Sequence, residues 1–301
     1  MTIMHGLLEM KEFKILTALE SAGENPMTQR ELASSCDLSV GTVNKVVFDL
    51  IEKGMIDDGA ITPAGLEALE PYRVKRAVLI AAGFGSRLVP ITLNTPKPLI
   101  RVQGKRIIDS LLDAIIEVGI EEIYIVRGYL AEQFDQLLYK YPQIKFIENT
   151  LYNEANNISS AYMARELLGN SYVFESDLLV YNTDLVTKYQ YDSNYLGVPV
   201  EMTDDWCFKT KRGLITDMMV GGVDCHHMYG ISYWTEEDGI KLADDIVAAL
   251  EMPGGKERYW DEVPLKYFSH NYEVHVRECS FDDIIEIDTF RELQELDKSY
   301  I

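Results

Sequence analysis

Residues 79–99 read LIAAGFGSRLVPITLNTPKPL, and the organisation of the chain can be worked outward from them. An apolar run ends in Ala81 and Ala82, opens into Gly83, Gly85 and Ser86, places a cation at Arg87, and closes on Pro96, Lys97 and Pro98. Glycine at 83 and 85 lets the backbone pass close to a ligand and take positive φ, so that successive N–H groups can converge on an anion. Arg87 and Lys97 add fixed charge from the two ends of the loop, where a triphosphate would lie. Spacing excludes two commoner phosphate loops. Lys97 does not complete GxxxxGK[ST], and Leu88 stands where GxGxxG needs its third glycine. Ala82, Gly83, Gly85 and Ser86 are therefore expected to form a phosphate loop, with Arg87 and Lys97 as its cations.

The 301 residues, 47% of them apolar, suit two domains with packed cores. No run approaches 18 consecutive apolar residues, and MTIMHGLLEMKEF lacks a basic region leading into an apolar core and a small-residue cleavage site. A cytoplasmic protein without membrane contact is the expectation. Cys36, Cys207, Cys225 and Cys279 form no CxxC pair, which favours reduced thiols over a zinc site or a disulfide framework. His226 and His227 are adjacent and would point apart in a strand, a poor arrangement for one metal ion. A formal charge of −21 argues against an extended nucleic-acid or anionic-membrane surface. A polyanionic substrate must then be handled locally, by the loop cations and a divalent metal.

Residues 1–72 read as a helical module. A first helix is predicted from about Leu7 to Ser21. Thr28 then caps a short helix with Glu31 at the capping-box position, and Ser39 caps a third (VGTVNKVVFDLIEK) that stops at Gly54. Val43, Val46, Val47, Leu50 and Ile51 fall at helical spacing along it. Met55 to Thr62 supplies a wing, and Pro63 to Leu69 a last helix. The order resembles a winged helix-turn-helix, with Val40 to Lys53 in the recognition-helix place. The module nevertheless carries five Lys/Arg against twelve Asp/Glu, and only Lys45 and Lys53 on that helix could meet phosphates. Docking or homodimerisation is the expected role, with DNA as the alternative partner of residues 1–72.

Residues 73–301 alternate strand and helix, as a catalytic domain built on a doubly wound, mostly parallel, Rossmann-like α/β sheet would. Val74–Ala82, Glu122–Val126, Lys145–Glu148 and Tyr172–Glu175 read as strands; Ile107–Val118, Leu130–Tyr139 and Ser159–Leu168 read as helices. Ligands of such sheets sit beyond the carboxyl ends of the strands, where the glycine loop falls. Asp177 follows the strand YVFES, and Asp288 follows DIIEI just before a helix beginning at Thr289. Two hard carboxylates from different strands suit Mg²⁺, which keeps waters and takes the rest of its shell from phosphates. Glu286 shares a strand face with Asp288 and could orient it. Asn157 and Ser160 open a helix in NEANNISSAYMARE and could read the polar edge of a base. Trp206, Tyr229, Tyr233, Trp234, Tyr259 and Trp260 are interleaved with Asp204, Asp205, Asp261 and Glu262, a mixture that fits a quaternary ammonium held by ring faces and a counter-charge. Roughly half of these rings are expected to be core.

The spaced pattern AAGxGSRxxPxTxxxPKPL resembles that of nucleotidyltransferases that join an NTP to a phosphorylated metabolite. From Val74 to about Asp297 the chain is similar to bacterial CTP:phosphocholine cytidylyltransferases, through the NNIxS stretch at Asn156–Ser160, the GISYW segment and the WDE stretch Trp260-Asp261-Glu262. The resemblance implies that Ala82, Gly83, Gly85 and Ser86 bind nucleotide and that Arg87 and Lys97 are catalytic. It implies that Asp177 and Asp288 hold Mg²⁺, with Ser176 in place of the usual glycine, and that cytosine is the base. It implies CTP and phosphocholine as substrates and CDP-choline and pyrophosphate as products. Tyr229, Trp234, Trp260, Asp261 and Glu262 are then the residues expected around choline. Phosphoethanolamine or 2-aminoethylphosphonate is an alternative acceptor with the same chemistry, and a sugar 1-phosphate is disfavoured by the aromatic and acidic C-terminal third. A winged-helix transcription regulator with a ligand-sensing transferase domain is the alternative of a different class.

Overall fold

A computed structural model of the chain describes residues 8–23, 25 and 27–301. It divides into two compact units, one running to Arg73 and completed by Tyr189–Tyr191, the other formed by Val74–Lys188 and Asp192–Ile301.

The first unit contains α1 (Met10–Ala22), α2 (Gln29–Cys36), α3 (Val40–Glu52), β1 (Ile56–Asp57), β2 (Ala60–Ile61) and α4 (Pro63–Leu69). The predicted helix start at Leu7 lies outside the described residues. Local chemistry sets the boundaries. Thr28 Oγ1 accepts from the Glu31 N–H while the Glu31 carboxylate accepts from the Thr28 N–H, a reciprocal cap that starts α2. Ser39 Oγ accepts from the Thr42 N–H at the start of α3. Val43, Val46 and Leu50 turn inward from α3 to meet Ile15, Leu16 and Leu19 of α1. β1 and β2 pair antiparallel as the wing. Tyr191 joins this unit by stacking on Tyr72, with ring centroids 5.2 Å apart and an interplanar angle of 8°.

The second unit contains, in order, β3 (Arg76–Ile80), β4 (Arg101–Val102), β5 (Lys105–Arg106), α5 (Ile107–Glu117), β6 (Glu122–Arg127), β7 (Ile144–Glu148), α6 (Ile158–Ala164), β8 (Ser171–Glu175) and β9 (Leu178–Val180). There follow β10 (Asn194–Lys211), β11 (Leu214–Trp234), α7 (Glu236–Glu251), β12 (His275–Glu278), β13 (Ile284–Glu286) and α8 (Phe290–Leu296). The main sheet has the order β10-β12-β11-β8-β3-β6-β7, parallel from β8 through β7 and antiparallel where β11 joins β8. Central β3 is apolar on both faces. Ala77 and Leu79 enter the core shared with Ile108, Leu111 and Ile115 of α5. Val78 and Ile80 enter the opposite core, with Ala161 of α6 and Leu242 and Ile246 of α7. Helices on both faces of a mostly parallel sheet define the doubly wound α/β class. No helix among the described residues is long and apolar enough to cross a membrane.

Three elements differ from the sequence reading. The helix expected over Leu130–Tyr139 is a run of 3₁₀ turns, Ala131–Tyr139, entered through Leu130 in the left-handed region (φ 48°). DIIEI contributes only a three-residue strand, β13, which pairs with β9 apart from the main sheet. The β10–β11 hairpin was not legible as such. It turns at Arg212 and Gly213, both at positive φ (55° and 81°), and its register shifts repeatedly between Thr203 and Thr210.

Trp234, at the end of β11, is fully buried, with its indole N–H donated to Ser232 Oγ at 3.0 Å and its ring edge-on to Trp260 at 6.1 Å. Trp234→Ala is expected to cost about 3–5 kcal/mol in equilibrium chemical denaturation. Trp206→Ala, at a half-buried ring, should cost less than half as much.

Candidate active site

The site is assembled where β3 and β8 end side by side, with Ile80 opposite Glu175. Ser176 Oγ donates to the Ile80 carbonyl at 2.5 Å and ties the two strand ends together. Residues 81–87 leave β3 as the glycine loop. Gly85 has φ 68°, and a Cβ there would lie 3.2 Å from both Lys97 Cβ and Thr92 Cγ2. Glycine is thus required twice at this position, for conformation and for the close approach of Lys97. Thr92 Oγ1 donates to the Gly85 carbonyl at 3.0 Å and folds the loop back on itself.

Asp177 stands just beyond β8. The β9–β13 pairing, extended by an Ile287 N–H bond to the Asp177 carbonyl at 3.2 Å, brings Asp288 beside it. Glu292 then accepts from the N–H groups of both Asp288 and Thr289 at 2.8 Å and fixes the start of α8. Lys97 Nζ spans the two carboxylates, at 2.7 Å from Asp177 and 3.1 Å from Asp288. Arg87, largely exposed, grips Asp288 with two guanidinium nitrogens, each at 2.8 Å. One oxygen each from Asp177, Glu286 and Asp288 lies within 4.8 Å of the others. The second oxygen of Asp177 is buried without a hydrogen-bond partner.

Charge explains the ionisation of the cluster. Burial alone would lower the Lys97 pKa, but the carboxylates of Asp177 and Asp288 outweigh it and push it up to about 12. Burial raises Glu286 well above the usual carboxylate range, helped by Asp177 and Asp288 and opposed by Lys97. Glu175 is likewise raised, first by burial and then by Asp261 and Asp177.

Two cavities meet at this cluster. The first, of about 330 Å³, is lined by Ala82, Gly83, Gly85, Arg87 and Lys97 on one side and by Asn157, Ser159 and Ser160 on the other. Asn149 Nδ2 donates to Ser159 Oγ at 2.9 Å and to Ser160 Oγ at 3.0 Å, fixing both hydroxyls. The second, of about 370 Å³, shares Arg87, Asn157, Glu175 and Asp177 with the first and adds Ser86, Asp205, Trp206, Met218, Met228, Tyr259, Asp261, Glu286 and Asp288. Trp206 and Tyr259 meet edge to face there, with centroids 5.6 Å apart. Asp261 accepts from the Tyr195 hydroxyl, and burial pushes its pKa up to about 7.

Residues 76–196 match the nucleotidyl transferase family model, and residues 11–57 match that of winged helix-turn-helix DNA-binding domains. The 2-aminoethylphosphonate cytidylyltransferase of Lancefieldella rimae is 34% identical over 229 residues, which are 75% of this chain and 93% of that protein. The chain belongs to the cytidylyltransferase family of nucleotidyltransferases. A choline-phosphate cytidylyltransferase of Streptococcus pneumoniae is 32% identical over 231 residues, covering 74% of this chain and 97% of its own. The solved CTP:phosphocholine cytidylyltransferase of that organism superposes with a TM-score of 0.69, at 32% identity, over 76% of this chain and all of its own. A UDP-glucose pyrophosphorylase at 16% identity and a TM-score of 0.57, covering 75% of this chain and 98% of its own, shares the fold.

In this cytidylyltransferase four of the five residues expected around the acceptor do not line the second cavity. Tyr229 points away from the second cavity because its neighbours Met228 and Gly230 line it, and alternate residues of a strand face opposite ways. Trp234 is core. Trp260 is also buried, and its indole N–H donates to Glu175 at 3.1 Å, so it props a cavity carboxylate rather than forming the wall. Glu262 closes a turn, accepting from the Tyr259 N–H at 3.2 Å and from Lys266 at 3.0 Å. Asp261 does reach the cavity. The cavity residues that sequence reasoning did not select include Trp206 and Tyr259, named only among six rings, Asp205, named only among four carboxylates, and Glu175, whose sole signal was its place two residues before Asp177. Gly230 makes room for Glu175: a Cβ there would sit 2.4 Å from Glu175 Cγ.

Replacing Lys97 with Met keeps the volume and removes the charge. The ammonium stabilises the fold across neutral pH, and that contribution is lost only as pH rises toward about 12. Without it, Glu286, raised first by burial and then by the facing carboxylates, holds its proton more tightly folded than unfolded, so the stability of the variant should fall as pH rises. The deficit against wild type is expected to be about 3 kcal/mol at pH 8 and to narrow toward pH 5, as read by urea titrations at both pH values.

Proposed function

We propose that this cytidylyltransferase transfers CMP from CTP to a small acceptor with a phosphonyl or phosphoryl group at one end and a primary ammonium at the other, of which 2-aminoethylphosphonate is the representative. The carrying observation is that Asp205, Asp261 and Glu175 converge on one cavity to which, among the described residues, two rings contribute, Trp206 and Tyr259. A primary ammonium has three N–H donors to give to carboxylates, whereas a quaternary one has none. Phosphocholine is the second reading. It is favoured by the Trp206–Tyr259 pair, since cation–π attraction contributes about 0.5–2 kcal/mol per ring.

Asp177, Glu286 and Asp288 fit a hard divalent cation, because their oxygens already cluster and one Asp177 oxygen is buried unpaired. We assign Mg²⁺ to them; when bound it would neutralise charge on the nucleotide phosphates. The glycine loop and Arg87 hold the β- and γ-phosphates, and Asn157 and Ser160 face the base. Lys97 stands beside the reacting phosphate, already charged. An anionic oxygen of the acceptor attacks the α-phosphorus in line, the new P–O bond forms, and the bond to pyrophosphate breaks. The attacking oxygen carries no proton that must be removed, so positioning and charge neutralisation carry the chemistry. We assign this activity to the catalytic domain, residues 73–301, and not to the winged module of residues 1–72, whose compact unit also takes in Arg73 and Tyr189–Tyr191.

Pyrophosphate release with Mg²⁺, crossing four NTPs with 2-aminoethylphosphonate, phosphoethanolamine, phosphocholine and glucose 1-phosphate, should give turnover with CTP and the primary amines. A tenfold or greater preference for phosphocholine would move recognition to the rings, and silence with every pair would sink the reading. Lys97→Met is expected to lower kcat by about 10²–10³ with little change in KM for CTP. Asp205→Asn should raise KM for the acceptor about tenfold and leave KM for CTP alone.

A cation is bound better by ionised than by neutral Asp261. Since that group titrates at about 7, KM for the acceptor should fall as pH rises from 6 to 8, and the trend should vanish in Asp261→Asn.

A further inference from the structure

In a winged helix-turn-helix that reads DNA, the outer face of the recognition helix carries side chains for base edges and phosphates. The outer face of α3 is different. Val40 is 41% exposed, Phe48 59% and Ile51 49%, and with Asn44 they form one stripe along the helix. At 3.6 residues per turn these four positions fall within roughly 80° of one another. Lys45 and Glu52 lie together on one flank of that stripe, roughly 20° apart around the axis and seven residues apart along it. Both are exposed, and among the described residues neither has an ion-pair partner.

That arrangement is complementary to itself. If two copies of α3 pack antiparallel about a two-fold axis passing beside Phe48, the apolar stripes face each other. A two-fold perpendicular to the helices keeps the flank bearing Lys45 on the same side in both copies, so Lys45 of one protomer comes level with Glu52 of its partner, twice over. We propose that the outer face of α3 is a homodimer interface, with Val40, Phe48 and Ile51 as its apolar centre and two symmetric Lys45–Glu52 pairs setting orientation. Nucleic acid is a poor occupant, because the module carries a net charge of −7 and offers only Lys45 and Lys53 along this helix. A helix of 13 residues is about 20 Å long, so the contact is of the small, concentration-dependent kind rather than an obligate one.

Sedimentation velocity on the full chain, from about 1 to about 200 µM, tests this. The wild type should pass from monomer to dimer over that range. Phe48→Glu should shift the dissociation constant upward by at least about tenfold, and Ile51→Glu should do the same as an independent probe of the stripe. Lys45→Glu and Glu52→Lys should each weaken association about threefold or more, and the double charge reversal should recover it to within about twofold. Pyrophosphate release by each variant should match wild type, which certifies folding. A wild type that stays monomeric throughout overturns the proposal. So does a Phe48→Glu chain that dimerises unchanged, or a double reversal that fails to restore what the single changes lose. Tight, α3-dependent binding of a fluorescent duplex at physiological salt by monomeric protein would assign the face to nucleic acid instead.

Discussion

One buried ammonium among carboxylates is the constraint on which the site depends. Glu175, Asp177, Glu286, Asp288 and Asp261 gather at the carboxyl ends of β8 and β13 in a chain that is already strongly negative. Coulombic repulsion between such groups in a partly dry site runs to several kcal/mol per close pair. Lys97 is the cation placed between two of them, and its placement is built from backbone. Pro96 and Pro98 stiffen its turn, and Gly85 leaves just enough space for its Cβ. Because Gly85 belongs to the glycine loop and Asp177 to the strand end, one ion pair fixes loop and carboxylates against each other. A second set of bonds holds the next carboxylate: Glu175 accepts from Asn157 at 3.0 Å and from Trp260 at 3.1 Å, joining the start of α6 to the segment around Trp260 and so one cavity to the other.

What could be read from the sequence was what local order encodes. The glycine loop, Arg87 and Lys97 fall within one contiguous segment, and the strand-end rule places Asp177 without knowledge of its neighbours. In the first unit, α2 and α3 were legible because Thr28, Glu31 and Ser39 cap them locally. The walls of the second cavity were not. Trp206 and Tyr229 lie on a hairpin whose register shifts several times, and each shift reverses which residues face the cavity. A count of rings gives the composition of that region but not its parity. Asp288 was singled out by its place before Thr289 and stands beside Asp177, yet the strand that precedes it belongs to a two-stranded ribbon rather than the main sheet. Glu175 carried no pattern because its significance comes from Gly230 and Trp260, both distant in sequence.

The winged module makes the complementary point. Its fold follows from caps, a glycine stop and an apolar inner face, none of which says what the outer face touches. A fold name carries a customary function, but function resides in the surface chemistry that a particular sequence places on the scaffold. On α3 that chemistry is apolar with balanced flanking charge, which suits another protein surface better than a polyphosphate backbone.

The acidic field around Lys97 also bears on why one fold accepts different phosphorylated partners. The α/β framework is shared with a UDP-glucose pyrophosphorylase at 16% identity, a likeness of fold alone. On the proposed reading, Asp205 and Asp261 would gain no counter-charge from a neutral sugar in the second cavity, and desolvating them there would cost free energy without return. As proposed, an acceptor ending in a cation would supply charge to Asp205 and Asp261, while its anionic end would reach the loop cations. On the proposed reading, the same surplus of carboxylates that makes Lys97 indispensable selects for an ammonium, so that metal binding, folding of the loop and choice of acceptor are consequences of one charge distribution.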